Sequence, residues 1–208
     1  MEDGENKLNL SDLAEAINSP NTKRRVSAMS ALSEIKDKQA VPILLQALND
    51  NELEVRWAAA WSLGQIGDAT IIPELINILR DKQSLIDTVV IRALGQIGDI
   101  SAIPVLLDIL HNGHKDARLA AVWAIGQIGD ITTVSELLNT LNGEDKSVSE
   151  AVAQALIKIG TPEALAGVIK WRHPTLSDTD VLTVLEEWQN NEQSYRLTGS
   201  NATSKWWP

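Results

Sequence analysis

The chain has 208 residues, of which 44% are apolar, and its 28 acidic and 18 basic side chains give a formal net charge of −10 at pH 7. Nucleic-acid binding depends on Lys and Arg side chains that neutralise phosphates, so this composition argues against a nucleic-acid partner. The first thirty residues carry no signal-peptide pattern, no apolar run approaches bilayer length, and cysteine is absent. We therefore predict a cytoplasmic protein without membrane insertion or disulfides.

The first predicted element is a helix over residues 10–18, which we expect to cap a stack of repeats because its apolar positions recur 31 residues later. The 31-residue interval is marked by five isoleucines: Ile35, Ile66, Ile97, Ile128 and Ile159. Glycines and prolines keep the same interval: Gly67, Gly98, Gly129 and Gly160, and Pro42, Pro73 and Pro104. Composition alone does not produce five copies in register, so we predict five repeats over residues 23–172.

Each repeat is predicted to contain two helices. The first carries its apolar residues on one face and ends at a Gly-Asp pair, as in RWAAAWSLGQIGD at 56–68, where Gly67 supplies a left-handed residue. The second begins near a proline, which a first helical turn tolerates. We interpret the GQIG segments as helix ends. Helices this short are marginal alone, so neighbouring copies must stack.

The last predicted element is a terminal helix over residues 177–190. It opens on Ser177 and Asp180 in the pattern of a capping box, and its helical pattern includes Trp188. Residues 191–208 show no periodicity and are predicted to form a flexible tail. We therefore predict one repeat domain over residues 1–190, followed by the tail.

The segment EVRWAAAWSLGQIGDATIIPELINIL resembles a HEAT repeat of the short kind named after the phycobilisome (phycocyanobilin) lyases, and the resemblance covers residues 10–172. It implies an all-α fold, a right-handed α-α superhelix or solenoid with the first helices outside and the second helices on the concave side. The early Arg of the family pattern is matched by Arg25, Arg56 and Arg118. Asp87 and Ser149 stand at this position in the third and fifth copies, so an Arg/Asp ladder would be interrupted.

Function is less specified by this resemblance than fold, because the same repeat serves bilin lyase subunits, phycobilisome-disassembly factors, hydroxylases and adaptors. HEAT-repeat hydroxylases bind iron through His-Glu pairs, and this sequence has none. His111 and His114 lie in the turn HNGHKD, where solvated histidines are the simpler interpretation. No nucleophile or phosphate-loop motif occurs. We therefore expect no catalytic residue, metal or other cofactor and interpret the chain as a protein-interaction scaffold; the alternative is a phycobilin lyase subunit or chromophore-handling protein, which would bind a bilin.

Polar positions of the second helices form one predicted surface, on the concave face. Its residues are Asn77, Arg80, Asp108, His111, Asn139, Lys170, Trp171 and His173. Mixed hydrogen-bonding groups suit a peptide, and Arg80, Arg172 and His173 with Trp171 as a stacking surface suit a bilin. The alternative is that these polar side chains are simply solvated and bind no ligand.

The other predicted surface is an apolar ridge on the first helices, formed by Trp57, Trp61, Leu119 and Trp123. Other repeats place Arg, Gln or Glu in these positions, which indicates that they are accessible, and Trp is enriched in interface hot spots. The alternative is that the indoles pack over small Ala and Ser residues of adjacent helices. We expect a protein partner, such as a phycobiliprotein subunit or a second HEAT-repeat subunit. Three tail residues form a second candidate anchor: Tyr195, Trp206 and Trp207.

Overall fold

A computed structural model of the chain describes residues 10–80 and 87–187. Every regular element within these ranges is an α-helix or a 3₁₀ helix, in agreement with the predicted all-α fold. The chain forms two compact units, Met1–Ile128 and Gly129–Pro208. Residues 188–190 of the predicted terminal helix, including Trp188, and the predicted tail with Tyr195, Trp206 and Trp207 lie outside the described residues.

The first unit contains eight α-helices among its described residues: α1 (Leu10–Ile17), α2 (Thr22–Ile35), α3 (Val41–Ala47), α4 (Leu53–Ile66), α5 (Ile72–Arg80), α6 (Asp87–Ile97), α7 (Ile103–Asn112) and α8 (Lys115–Ile128). The first helices of the repeats, α2, α4, α6 and α8, pack side by side. The cap helix α1 and the second helices α3, α5 and α7 each pack against the first helix that follows. Helix pairs therefore stack as the sequence predicts for an α-solenoid.

The core of the first unit follows the 31-residue interval. Fully buried residues recur on the first helices at Leu32, Leu63, Leu94 and Ile125, and on the second helices at Leu44, Leu75 and Leu106. The isoleucines that mark the interval lie in the last helical turn instead. Ile66 and Ile97 are half-buried and Ile35 is exposed, because a helix end at the surface leaves part of its last turn in water.

Each first helix ends as predicted, in a left-handed residue. Gly67, Gly98, Gly129 and Gly160 have φ between +72° and +77°, and in the first repeat Lys36 adopts φ +53°. The sequence did not predict the element that follows in the first four repeats, a three-residue 3₁₀ helix that precedes the second helix. It begins after an aspartate whose carboxylate accepts the N–H two residues on: Asp37, Asp68, Asp99 and Asp130. Three residues are too few to show a periodicity, so this element has no pattern signal.

Hydrogen bonds to the capping carboxylates lower their pKa values. The backbone N–H and hydroxyl of Thr70, with the Lys38 amine 3.6 Å away, hold the pKa of Asp68 below its ordinary value. The hydroxyl and backbone N–H of Ser101 do the same for the pKa of Asp99. Donors to a carboxylate favour its charged form, so these caps are strongest when ionised.

The first glycine of the GQIG segments allows neighbouring first helices to approach closely. A Cβ atom on Gly95 would lie 2.7 Å from the Cα of Ala124, and one on Gly64 would lie 3.0 Å from the Cα of Ala93. These glycines belong to packed helix faces and the later glycine of each segment caps the helix, in agreement with the structural interpretation of GQIG.

The arginine found early in the first helix of three repeats binds carbonyl oxygens just before its own helix. Arg25 donates to the Ser19 carbonyl at 2.9 Å, and Arg56 donates to the Asp50 carbonyl at 2.7 Å. Arg25 also pairs with the Asp50 carboxylate at 2.9 Å. In the second unit Ser149 occupies the same position, and its hydroxyl donates at 3.4 Å to the corresponding carbonyl, that of Gly143. The serine replaces the hydrogen bond without the charge.

The second unit contains α9 (Val134–Leu141), α10 (Lys146–Ile159), α11 (Pro162–Arg172) and a helix over residues 178–187, called α12. Leu165 and Ile169 of α11 form a buried cluster with Val181 and Leu185 of α12. The capping box before α12 is confirmed: the Ser177 N–H donates to the Asp180 carboxylate at 2.9 Å, and the Asp180 N–H donates to the Ser177 hydroxyl oxygen at 3.2 Å.

Candidate partner-binding site

Two tryptophans of α4 lie one helical turn apart on the surface of the first unit. Trp57 and Trp61 are each 46% exposed, and Leu53, one turn earlier, is 43% exposed. Residues four apart lie on the same helix face, so these three residues form an apolar stripe, called the α4 stripe below. Large apolar side chains grouped on a surface mark a candidate binding site.

A groove lies beside the α4 stripe, between α2 and α4, and its volume is about 560 Å³. Besides the stripe, Val26 and Ser30 of α2 and Glu54 and Ala58 of α4 line it. The Ser30 hydroxyl donates to the Val26 carbonyl of its own helix at 3.3 Å. The α2–α4 groove is therefore apolar, with Glu54 as its one charged lining residue.

The other pair of the predicted ridge has different surroundings. Trp123 of α8 is half-buried, and its ring would lie 3.0 Å from a Cβ atom on Gly95 of α6. The guanidinium of Arg92 lies 5.2 Å from the centre of the Trp123 ring, close enough for a cation–π interaction. Leu119 is also half-buried. The four ridge residues thus divide into an exposed pair on α4 and a half-buried pair on α8.

The difference between the two tryptophans follows from the preceding first helix. Arg92 lies 31 residues before Trp123, and Ser30 lies 31 residues before Trp61. Arg92 is long enough to reach over the ring of the next helix, whereas the Ser30 side chain ends after one atom beyond Cβ. The α2–α4 groove therefore remains open where the corresponding position between α6 and α8 is covered.

Sequence reasoning missed part of this site. Leu53 belongs to the α4 stripe, and its spacing of four residues from Trp57 was a usable signal. The role of Ser30 had no such signal, because it depends on how far a side chain of the preceding helix reaches.

The charged residue in the lining of the groove is acidic. Glu54 lies in the first turn of α4, and its side chain is exposed. On a chain with net charge −10, this carboxylate favours a basic ligand over an acidic one.

The predicted surface on the second helices is polar and exposed in the first unit. Asn77 and Arg80 on α5 and Asp108 and His111 on α7 are all exposed. The Asp108 carboxylate accepts a hydrogen bond from the Asn112 side chain at 2.8 Å. These positions are accessible, as the sequence pattern predicts. Asp108 also lines a pocket of about 240 Å³ that residues of α6, α7 and α8 share.

In the second unit, Asn139 is exposed on α9, and Lys170 of α11 pairs with Asp178. Trp171 and His173 are half-buried. Arg172 lies 3.3 Å from the Glu150 carboxylate, and its guanidinium lies 5.9 Å from the centre of the Trp171 ring. The Arg172 guanidinium and the Trp171 ring, which we considered as contacts for a bilin, therefore lie against each other. Arg172 also already has a carboxylate partner in Glu150.

The turn histidine His114 has a structural contact. Its Nδ1 accepts the Ala117 N–H at 3.4 Å, at the start of α8. Among the described residues, no three His, Cys, Asp or Glu side chains are grouped so that they could hold a metal ion. None of the described helices has the length and apolar character needed to cross a membrane.

Comparison with known proteins identifies the repeats. A family model of HEAT repeats matches residues 10–83, 54–118 and 103–185. Among solved structures, the complex of CpcE and CpcF of phycocyanin lyase from Nostoc sp. PCC7120 matches with a TM-score of 0.51 and 24% identity, over 86% of this chain and 81% of that chain. A comparison with curated proteins found no match. The matched residues, together with the stacked helix pairs, show that the chain belongs to the HEAT-repeat family.

Proposed function

We propose that the protein is a non-catalytic interaction scaffold that binds a protein partner in the α2–α4 groove. The observation that carries this proposal is the α4 stripe, which holds two tryptophans 46% exposed beside an apolar groove. Covering Trp side chains contributes strongly to binding free energy, and they recur as hot spots. The composition favours the cytoplasm as the place of this interaction.

Two further observations support a protein as the partner. HEAT-repeat proteins stack helix pairs into extended binding surfaces, and this chain has such pairs. A solved structure with a similar fold is a complex of two proteins. A phycobiliprotein subunit and a second HEAT-repeat subunit are the two partner types proposed.

Affinity purification from the source cell tests this function. Trp61→Arg places a charge in the groove, and Leu182→Arg serves as the control, because Leu182 is an apolar residue of α12 that is 60% exposed. We expect one protein to be retained by the wild type and by the control and lost with Trp61→Arg. A partner that all three retain equally would show that the groove is not the binding site.

A second candidate function is that of a subunit in a pair that handles a bilin. The matched complex is named as phycocyanin lyase, which favours this candidate. Addition of phycocyanobilin to the purified protein would then change the absorption spectrum of the pigment, and Trp171→Ala and Arg80→Ala would reduce the change. An unchanged spectrum would leave the scaffold as the better account.

A further inference from the structure

We infer that the partner places an amphipathic α-helix in the α2–α4 groove, with large apolar residues one turn apart and Lys or Arg beside its apolar face. This inference rests on the proposed function and specifies its ligand. It draws on the dimensions of the groove, the small number of hydrogen-bonding groups in its lining, and the acidic charge of Glu54 and of the whole chain.

The dimensions of the groove match a helix. The α4 stripe spans two helical turns from Leu53 to Trp61, a length of about 12 Å at 1.5 Å per residue. Val26 and Ser30 lie one turn apart on α2, on the other side of the groove. Two rows with helical spacing form the kind of groove into which a third helix packs its own ridge of side chains.

Hydrogen bonding separates a helical ligand from an extended one. The backbone N–H and C=O groups of an extended peptide need partners when they lose water. The Ser30 hydroxyl is bonded to its own helix, and apart from Glu54 the polar groups of the lining are the two indole N–H donors of the α4 stripe. These are too few to pair with the backbone of an extended peptide. A helix satisfies its backbone internally and offers only side chains, so it can enter this groove without leaving polar groups unpaired.

The charge of the protein predicts the charge of the ligand. Glu54 belongs to the first turn of α4, is exposed and lines the groove. The overall charge of −10 adds a long-range preference for a basic ligand. Basic residues beside the apolar face of the ligand would complement both.

Synthetic peptides test the inference on the full chain. The probe is a labelled peptide of about 20 residues, rich in Ala, with Leu in one helical stripe and Lys on either side. One control peptide has the same composition in scrambled order, a second carries a central Pro that prevents the helix, and a third has Glu in place of Lys. Fluorescence anisotropy measures the affinity of each, and only the striped Lys peptide should bind tightly.

A substitution that reproduces an arrangement found elsewhere in this chain should block the groove. Ser30→Arg introduces between α2 and α4 the arrangement that Arg92 and Trp123 form between α6 and α8. We expect it to lower the affinity for the striped peptide about 30-fold, which corresponds to the loss of a hot-spot contact of about 2 kcal/mol. Gln154→Arg adds the same charge at an exposed position of α10 and should leave the affinity unchanged.

Each contrary outcome overturns the inference in its own way. Equal binding of the Pro peptide would assign the groove to an extended ligand, and unchanged binding to Ser30→Arg would place the peptide elsewhere. Self-association of the protein in sedimentation, lost with Trp61→Arg, would assign the groove to a second copy. If the striped peptide fails to bind at about 100 μM while Trp61→Arg still loses the cellular partner, the helical ligand is wrong and the proposed function stands. If Trp61→Arg keeps the partner, the proposed function fails first.

Discussion

At the scale of single residues, Trp61 and Trp123 show how a side chain on the preceding helix decides whether a tryptophan is exposed or packed. Both occupy the same position of a repeat, but Arg92 lies over the ring of Trp123 and Ser30 leaves Trp61 exposed. Part of the Trp123 surface is also covered by the helix face that contains Gly95. Trp123 therefore contributes to helix packing, whereas Trp61 retains surface for a ligand.

Single substitutions should separate these two roles. We expect Trp61→Arg to change the free energy of unfolding by no more than about 1 kcal/mol, as surface substitutions do. Trp123→Arg removes packing against α6 and brings a second positive charge to Arg92, so we expect a loss of about 2–4 kcal/mol. Urea denaturation followed by circular dichroism measures both. Equal losses in the two variants would contradict the division of the ridge.

The sequence could predict the positions of this site but not its surroundings. Comparison of equivalent positions across repeats identified Trp57 and Trp61 as accessible, because other copies hold charged residues there. It could not predict that Arg92 covers Trp123, since the direction of a long side chain depends on packing across two helices. For the same reason the two pairs could not be told apart.

At the scale of secondary-structure elements, close packing of the first helices depends on glycines without side chains. Gly95 lies at a close approach of α6 and α8, because a Cβ added to it would lie 2.7 Å from the Cα of Ala124. Backbone atoms cannot rotate away as a side chain can. The helices must separate if this position carries a side chain.

Gly95→Ala should therefore destabilise the protein although alanine favours helices. We expect a loss of about 1–3 kcal/mol in the free energy of unfolding, typical of overpacking. Gly167→Ala is a useful contrast, because the atoms nearest to its Cβ belong to the Leu138 side chain, which can rotate away. A stabilised Gly95→Ala protein would show that α6 and α8 can move apart freely.

The helix caps allow a reciprocal pair of substitutions. Lys36 has φ +53° at the position where the later repeats use glycine, and left-handed backbone costs a residue with a Cβ atom roughly 1–2 kcal/mol. Lys36→Gly relieves this strain, but it also increases the conformational entropy of the unfolded chain, which opposes folding. We therefore expect a net stabilisation of up to about 1 kcal/mol. Gly67→Lys introduces the strain in open space and should destabilise by about 1 kcal/mol. Melting temperatures that move in the opposite directions would refute this account of the caps.

The number and order of helices could be predicted from the sequence because 31-residue periodicity, cap glycines and prolines all agree. The glycine caps at Gly67, Gly98, Gly129 and Gly160 and the capping box at Ser177 were confirmed. The 3₁₀ helices were missed, since three residues carry no hydrophobic pattern and their capping aspartates also suit an ordinary turn.

At the scale of the whole molecule, ionised aspartate caps couple stability to pH. Donors present only in the folded protein hold the pKa values of Asp68, Asp99 and Asp180 below the 3.8 of an unperturbed aspartate. The unfolded chain therefore takes up protons first as the pH falls. The stabilisation is fully present well above pH 3.8 and is lost as the pH falls through the folded-state pKa values.

The free energy of unfolding should thus fall below pH 3.8 and stay nearly level above it for these three groups. Asp99→Asn keeps a capping oxygen and removes the titration. We expect this variant to be less stable than the wild type near pH 7, where the ionised cap is strongest, and to lose less stability on acidification. Chemical denaturation at a series of pH values measures the difference. A variant with an unchanged pH dependence would show that the Asp99 cap does not contribute to it.

The central claim is that the α2–α4 groove of this HEAT-repeat protein binds a helix through Trp57 and Trp61. Fluorine NMR of the protein labelled with 5-fluorotryptophan tests it most directly, since each of the seven tryptophans gives its own resonance. Trp→Phe variants assign Trp57, Trp61 and Trp123. We predict that titration with the striped Lys peptide shifts the Trp57 and Trp61 resonances and leaves Trp123 in place. Unmoved Trp57 and Trp61 resonances at saturating peptide would contradict the account.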